Sequence, residues 1–375
     1  MQTRPRDNVA FTVVVTVLAA LGALAMIAVI LLSGAPSSMM IAAAAAAIPV
    51  GPLVAVFMWL DRYEPEPKLL LASGLAWGGF VATAGTLLIQ GVGGLVVPMS
   101  AEFSLAIGAP VVEEAAKGVF LLLLLWWRRH EIDGILDGIV YAGMVGIGFA
   151  FVENILYLGA AYNGTDATGP GGVPALTALF IVRCIFSPFA HPLFTAFIGI
   201  GIGIAVGSKS MPVRIFAPIV GYLCAVLAHG LWNGSTIFGG DKFLLVYGVL
   251  GLPALLGVAG LGIYARSNEK KLLLASLGDA ANRGLLPAAD VLWLADLRGR
   301  RHARHQAKQL GGEQGLQAMR DYQRAAVELG FLHNRFMRGV APADYQDRGA
   351  HYVTEIRAIR PFLSFGSQHT GAPTR

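Results

Sequence analysis

Seven ionisable side chains lie within segments that are otherwise apolar enough to span a membrane: Glu113, Glu114, Lys117, Glu153, Arg183, His191 and His229. A charge at bilayer depth costs several kcal/mol or more, so such residues usually face a cavity inside the protein and serve a function. Carboxylates and imidazoles transfer protons or bind metals. Because these groups come from separate segments, we expect them to form one buried polar site.

The fourth apolar segment contains Val112-Glu113-Glu114-Ala115-Ala116-Lys117. On a helix, Lys117 neighbours Glu113 at i,i+4 and Glu114 at i,i+3. Lys117 can therefore keep one carboxylate ionised while the other is free for proton transfer. The alternative is an internal ion pair that only orders the helices, although such a pair seldom needs a second adjacent glutamate.

Three later segments supply further polar groups. Glu153 lies near the outer end of the fifth, and Arg183 and His191 lie eight residues apart in the sixth, roughly on one side of a helix. An arginine at that depth requires a carboxylate partner. In the seventh segment His229 and Asn233 share a helix face, where both can donate hydrogen bonds to a developing oxyanion. Ordinary polar contacts between helices are the alternative for each of them.

The composition is that of a membrane protein, since 55% of the 375 residues are hydrophobic and 14% are charged, against about 25% charged in soluble proteins. We predict an all-α polytopic membrane protein with about eight transmembrane helices and a partly helical cytoplasmic C-terminal tail. Most of the apolar segments are long enough to cross a bilayer core, which takes about 20 residues in a helix. The sixth is longer, and Pro188 and Pro192 predict a kink within it. The predicted spans are Val9–Leu32, Met39–Leu60, Leu69–Gln90, Phe103–Trp127, Ile135–Leu158, Ala175–Val206, Val213–Phe238 and Phe243–Ala265.

Basic residues concentrate in alternate loops and before the first span. Such residues favour the cytoplasmic side, so we expect a multi-pass protein of the cell membrane with both termini in the cytoplasm. Residues 1–265 form the predicted transmembrane domain, and residues 266–375 form a basic tail with 17 Lys and Arg against 10 Asp and Glu. The basic residues in question are Arg4, Arg6, Arg62, Lys68, Arg128, Arg129, Lys209 and Arg214.

In the tail, helical spacing of apolar residues occurs at Glu269–Leu277, Pro287–Leu297 and Gln314–Met337. Arg298–Lys308 is a basic stripe, which we interpret as a solvated helix face or a contact with anionic lipid; no nucleic acid is expected as a partner. From Gly339 onward the periodicity is lost.

Several common catalytic motifs are absent from the sequence: His-Glu-x-x-His, Gly-x-Ser-x-Gly, paired membrane aspartates and Walker A. The two cysteines, Cys184 and Cys224, both lie in predicted spans and form neither a disulfide framework nor a zinc motif. Packing is their expected role.

Four features, taken in order, resemble the PrsW family of membrane proteases. They are Glu-Glu-x-x-Lys at 113–117, Phe-x-x-x-Glu at 149–153, a span with Arg and His, and His-x-x-x-Asn at 229–233. The loop Asp61–Pro67 is also similar to that family, which is related to the CAAX-prenyl and bacteriocin-immunity proteases. The resemblance covers roughly residues 61–238 and leaves the basic tail outside it.

The resemblance implies a peptidase that cleaves a membrane protein near or within the bilayer, such as a single-span anti-sigma factor in a signalling cascade. We expect it to work without a cofactor. It implies that Glu113 or Glu114 activates water, that His191 and His229 position water or stabilise charge, and that Asn233 completes the oxyanion site. The implied supporting residues are Lys117, Glu153 and Arg183.

Three other hypotheses stay open. A metallopeptidase would use a glutamate with His191 and His229 as zinc ligands. A transporter would use the same carboxylates as a proton relay, although the sequence shows no repeat of the kind transporters carry. A family member without activity would act only as a binding partner.

Overall fold

The computed structural model describes residues 9–33, 35–96, 99–164 and 169–363. Arg4 and Arg6 lie outside these ranges. So do the last ten residues, for which the sequence predicts disorder. The α-helices of the described part are α1 Val9–Leu32, α2 Pro36–Ala47, α3 Val50–Leu60, α4 Lys68–Ala76, α5 Thr83–Val96, α6 Ala101–Phe103, α7 Ala109–Trp127, α8 Ile135–Asn163, α9 Gly172–Phe180, α10 Ala190–Val206, α11 Met211–Ile237, α12 Gly240–Val246, α13 Leu252–Asn282, α14 Val291–Leu294, α15 Leu297–Met337 and α16 Tyr345–Ile359.

Seven helical stretches in the described part are long and apolar enough to cross a membrane, which confirms the all-α polytopic class. The segment predicted as the fourth span is also helical, through α6, a π-helical stretch at Ser104–Gly108, and α7. It is not among the seven, because it carries three charged residues within two turns of α7. Those residues are the ones that the sequence singles out for chemistry.

Several apolar stretches are irregular along their length. The sixth predicted span runs as α9, a π-helical stretch at Ile181–Phe186, and α10, with non-helical residues between them. Pro188 lies in that interruption, as its missing N–H and fixed φ predict. The interruption separates Arg183 from His191 and lets the two side chains approach the same carboxylate from different directions.

Helix α8 is the centre of the transmembrane bundle, and most of its residues are buried. Small residues allow the neighbouring backbones to approach it closely. A Cβ on Gly148 would lie 1.9 Å from the Leu75 carbonyl oxygen, and a Cβ on Gly138 would lie 2.1 Å from that of Gly199. Helices α4 and α10 therefore pack against α8 at backbone distance, which fixes the position of Glu153 on α8.

The chain divides into two compact units, residues 1–61 with 66–262 and residues 62–65 with 263–375. The second unit has its own core, built around residues such as Leu277, Met319 and Tyr322. The short loop 62–65 belongs to this unit, since the buried guanidinium of Arg300 donates hydrogen bonds to the carbonyls of Leu294 (2.5 Å) and Tyr63 (2.6 Å). The Asp61–Pro67 loop is thus shared between the two units.

The expectation of lost periodicity after Gly339 was wrong for residues 345–359, which form α16. Ile356 is fully buried in the core of the second unit, and Tyr352, Val353 and Ile359 pack against that core. These four residues have helical spacing, but polar and charged residues separate them, so their apolar face is narrow.

Candidate active site

Helix α7 brings Glu113, Glu114 and Lys117 into the interior of the first unit, where all three are buried. Pro110 lies where α7 continues the π-helical stretch Ser104–Gly108, so its missing N–H leaves a carbonyl of the preceding turn without its helical donor. Lys117 is among the largest fully buried side chains of the described residues. A buried ammonium needs charged or polar partners, and the surrounding helices supply them.

Lys117 is the centre of the cluster. Its Nζ donates to Glu114 Oε1 at 2.8 Å and to His191 Nδ1 at 3.0 Å, and it lies 3.9 Å from Glu113 Oε2. The ammonium also lies 3.8 Å from the centroid of the Phe149 ring, a cation–π contact. The predicted i,i+3 and i,i+4 contacts with the glutamates are therefore both present, with the i,i+3 contact the shorter.

Glu114 has a full set of partners. Besides Lys117, its Oε1 accepts a hydrogen bond from His229 Nδ1 at 2.9 Å, and its Oε2 accepts one from the Thr195 hydroxyl at 3.2 Å. Because the Nδ1 proton of His229 points at a carboxylate, its Nε2 is left as the acceptor atom of a neutral ring. The imidazole stacks on Phe194 at a centroid distance of 4.9 Å, which fixes its plane.

Glu113 differs from its neighbour, although both are buried. Its Oε2 has no hydrogen-bond partner among the described residues. His229 Nε2 lies 3.7 Å from it and Lys117 Nζ lies 3.9 Å from it. A buried carboxylate oxygen without a partner is costly, and it marks the position where a water, a substrate or an ion would be bound.

His191 connects this cluster to a second one. Its Nε2 lies 2.7 Å from Glu153 Oε2, and the same carboxylate oxygen is paired with Arg183. Arg183 also donates from Nε to Asn154 Oδ1 at 2.6 Å and stacks over the ring of Tyr157. Glu153 is thus the carboxylate partner that Arg183 requires, and the glutamates of α7 are not.

Asn233 lies on α11 one turn after His229. Its Nδ2 donates to the Leu105 carbonyl in the π-helical stretch Ser104–Gly108, at 3.1 Å. An amide group carries two N–H donors, so one of them is not used by this bond. Asn233 also lines a cavity of about 130 Å³ together with Glu153, Arg183 and His191, which places it beside the polar cluster.

The donor set fits a divalent metal. Glu113, His191 and His229 each offer one ligand atom, and these three atoms lie within 4.8 Å of one another. The unpartnered Glu113 Oε2 and the acceptor Nε2 of His229 lie 3.7 Å apart and could both bind a metal, and Glu114 holds His229 as carboxylates hold metal-binding histidines in many sites. For His191 to act as a ligand, either Lys117 or Glu153 must release one ring nitrogen.

The charges of the cluster also suit a cation. Three carboxylates face two basic groups, Lys117 and Arg183, when the histidines are neutral. The carboxylates are those of Glu113, Glu114 and Glu153. One negative charge therefore lacks a permanent counter-charge, and a bound proton or metal ion would balance it.

The structure brings together all eight residues that the sequence singles out. It adds Thr195, Asn154 and Phe149, which contact Glu114, Arg183 and Lys117 respectively. Asn154 accepts a hydrogen bond from Arg183 Nε and so helps to orient the guanidinium. Thr195 lies four residues after His191, a helical spacing that puts both on one face of α10, but a threonine in an apolar helix is too common to stand out.

Comparison with known proteins gives a consistent picture. A family model described as PrsW family intramembrane metalloprotease matches residues 66–258. Protease PrsW of Geobacillus kaustophilus is 29% identical over 184 residues, which cover 48% of this chain and 73% of that protein. Protease PrsW of Oceanobacillus iheyensis is 28% identical over 154 residues, which cover 41% of this chain and 63% of that protein. No solved structure matches.

Proposed function

Because this chain belongs to the PrsW family of intramembrane metalloproteases and is a membrane peptidase, we propose that it cleaves a peptide bond of another membrane protein with Glu113 as the group that activates water. The single observation that carries this assignment is the unpartnered, buried Oε2 of Glu113 beside the acceptor nitrogen of His229. Glu114, by contrast, is fully used in holding Lys117 and His229 in place.

The distance between these two acceptors suits one bridging water. Glu113 Oε2 and His229 Nε2 are 3.7 Å apart, too far for a direct hydrogen bond and close enough for one water to donate a hydrogen bond to each. The oxygen lone pairs of that water are then free to attack a scissile carbonyl carbon. Its proton passes to Glu113, which acts as the general base.

The attack produces a tetrahedral oxyanion, which needs donors that are already in place. The second N–H of Asn233 is one, and the positive charge of Arg183 beside the same cavity is another. Glu113 then gives its proton to the leaving nitrogen as the C–N bond breaks. The products are a carboxylic acid and an amine, and Glu113 returns to its ionised form.

A metal-dependent version is the second candidate, favoured by the ligand geometry of Glu113, His191 and His229. A zinc-type ion bound there would lower the pKa of a bound water and polarise the scissile carbonyl. In that version Glu113 is a ligand and Glu114 remains the group that orients His229. Lys117 then balances the negative charge of Glu114, which does not bind the metal itself.

The substrate that we propose is a single-span membrane protein, for example an anti-sigma factor. An apolar groove of about 580 Å³ lies between the Ser104–Gly108 stretch, α11 and α12. Its residues Gly230 and Gly234 directly follow His229 and Asn233 in the chain, so a spanning segment held in this groove would lie next to the site. We further propose that the protein resides in the cell membrane with both termini in the cytoplasm, on the basis of its basic loops.

The test compares the membrane proteomes of cells that produce the wild type or Glu113→Gln as their only copy. A full-length single-span protein should accumulate with Glu113→Gln and should be cut by the purified wild type in lipid nanodiscs. The matched control is Glu313→Gln, a change of an exposed glutamate in the second unit. Identical proteomes and equal cleavage by the wild type and Glu113→Gln would refute the assignment.

A further inference from the structure

The first half of α15 carries a basic stripe, which we define as Arg298, Arg301, His302, His305 and Lys308. These residues recur at intervals of three and four and so share one face of the helix. No aspartate or glutamate occurs from residue 297 to residue 312. The stripe is about 15 Å long at about 1.5 Å per residue.

Packing within the second unit does not account for the stripe. The opposite face of α15 is the buried one, with Arg300, Ala303 and Ala307 turned toward the interior. The stripe residues are exposed. Among the described residues, neither Arg298 nor Arg301 has an acidic side chain within ion-pair distance, and Lys308 pairs only with the exposed Glu313.

We propose that the basic stripe binds the headgroups of anionic lipids in the membrane that holds the chain. Charge complementarity supports this partner, because unpaired cations near a bilayer surface are attracted to its anionic lipids. Continuity supports it as well. Helix α13 runs without a break from the last apolar stretch to Asn282, so the second unit is tethered directly to a membrane span.

An exposed leucine also precedes the stripe. Leu292 is 75% exposed just before α15, whereas Leu310, which is 71% exposed, continues the row of Ala303 and Ala307 on the opposite face of the helix. Apolar side chains beside a basic helix face enter the boundary between headgroups and acyl chains. A nucleic acid would gain nothing from Leu292, and the stripe contains no Phe, Tyr or Trp on which a base could stack.

The experiment uses the full chain in lipid nanodiscs. A donor dye is attached at Gln314→Cys, an exposed position after the stripe, in a Cys224→Ser background in which the remaining Cys184 is buried. Energy transfer to a headgroup-labelled lipid reports contact of the second unit with the bilayer. Transfer should rise when 30% phosphatidylglycerol replaces phosphatidylcholine, and it should fall again at high salt.

The variant Arg298→Gln/Arg301→Gln removes two unpaired charges and keeps good helix formers. We expect it to lower the ratio of bound to unbound second units by about 30-fold in the anionic discs. The matched control, Lys271→Gln/Arg320→Gln, removes two exposed charges that lie outside the stripe and should behave as the wild type.

Three results would overturn the proposal. Transfer could be equal in neutral and anionic discs. The stripe variant and the control variant could lose transfer equally. Finally, a labelled RNA or DNA oligonucleotide could bind the wild type but not Arg298→Gln/Arg301→Gln while transfer stays independent of lipid charge, which would assign the stripe to nucleic acid.

Discussion

Glu114 Oε1 accepts a hydrogen bond from His229 Nδ1 at 2.9 Å, a contact between residues 115 positions apart in the chain. This bond turns the acceptor nitrogen of His229 toward Glu113, 3.7 Å away. Two adjacent glutamates thus have different surroundings. Glu114 contacts both the histidine and the lysine, whereas Glu113 Oε2 is buried without a hydrogen-bond partner among the described residues.

The first prediction concerns these two glutamates. Glu113→Gln should reduce cleavage by about 10²–10⁴-fold, the usual contribution of a general base, with little change in melting temperature. Glu114→Gln should lose about 3 kcal/mol of stability, because Lys117 then lies buried without its nearest ionised partner. Cleavage rates and thermal unfolding of the purified variants provide the measurement. Full activity in Glu113→Gln would exclude Glu113 as the base.

The second prediction concerns metal binding. If the metal-dependent version holds, the metal-depleted wild type should bind close to one zinc ion per chain, measured by elemental analysis after dialysis, because three donor atoms converge. His229→Asn should reduce the bound zinc to background, whereas His305→Asn, an exposed change in α15, should not. Activity that survives chelation would favour the metal-free version, and wild-type protein that binds no zinc would rule out the metal-dependent one.

The third prediction concerns pH. Burial raises the pKa of Asp61 to about 7 from 3.8, and only the backbone N–H of Glu66 opposes this shift. Burial and the charge of Asp137 also raise the pKa of Glu66. Since the folded state then binds more protons than the unfolded state between pH 4 and 7, stability should fall as pH rises through 7.

Asp61→Asn should remove the part of this dependence that Asp61 causes, about 2.5 kcal/mol between pH 5 and pH 8. Chemical unfolding in detergent at both pH values would measure it. Asp241→Asn changes an exposed carboxylate and should leave the wild-type dependence intact. An equally steep loss of stability in Asp61→Asn would show that other groups cause it.

The fourth prediction concerns helix packing. Gly148→Ala places a methyl group 1.9 Å from the Leu75 carbonyl oxygen, so α8 and α4 must separate, at a cost of about 2 kcal/mol or more. Because Glu153 follows on the same helix, cleavage should fall as well. The matched change Gly85→Ala meets no atom within 4 Å and should be neutral or stabilising by up to about 1 kcal/mol. Thermal unfolding distinguishes the two, and equal stability of both variants would contradict the close approach.

Much of this architecture could be predicted from the sequence. Apolar runs long enough to span a membrane, and the proline at 188, predict the helices and the interruption of the sixth stretch, because bilayer thickness and proline geometry are local constraints. The cost of a charge in an apolar helix identifies the polar residues in the same way. The narrow apolar face of α16 was missed because weak periodicity gives no clear local signal.

The sequence by itself determined which residues are candidates for the chemistry, because residue type and position along a helix are properties of one segment. Only the tertiary structure decided that Arg183 pairs with Glu153, that Thr195 and His229 hold Glu114, and that Glu113 is left with a free oxygen. Those contacts depend on how each helix is rotated against its neighbours. That rotation is set by close backbone packing at residues such as Gly138 and Gly148, which no single segment specifies alone.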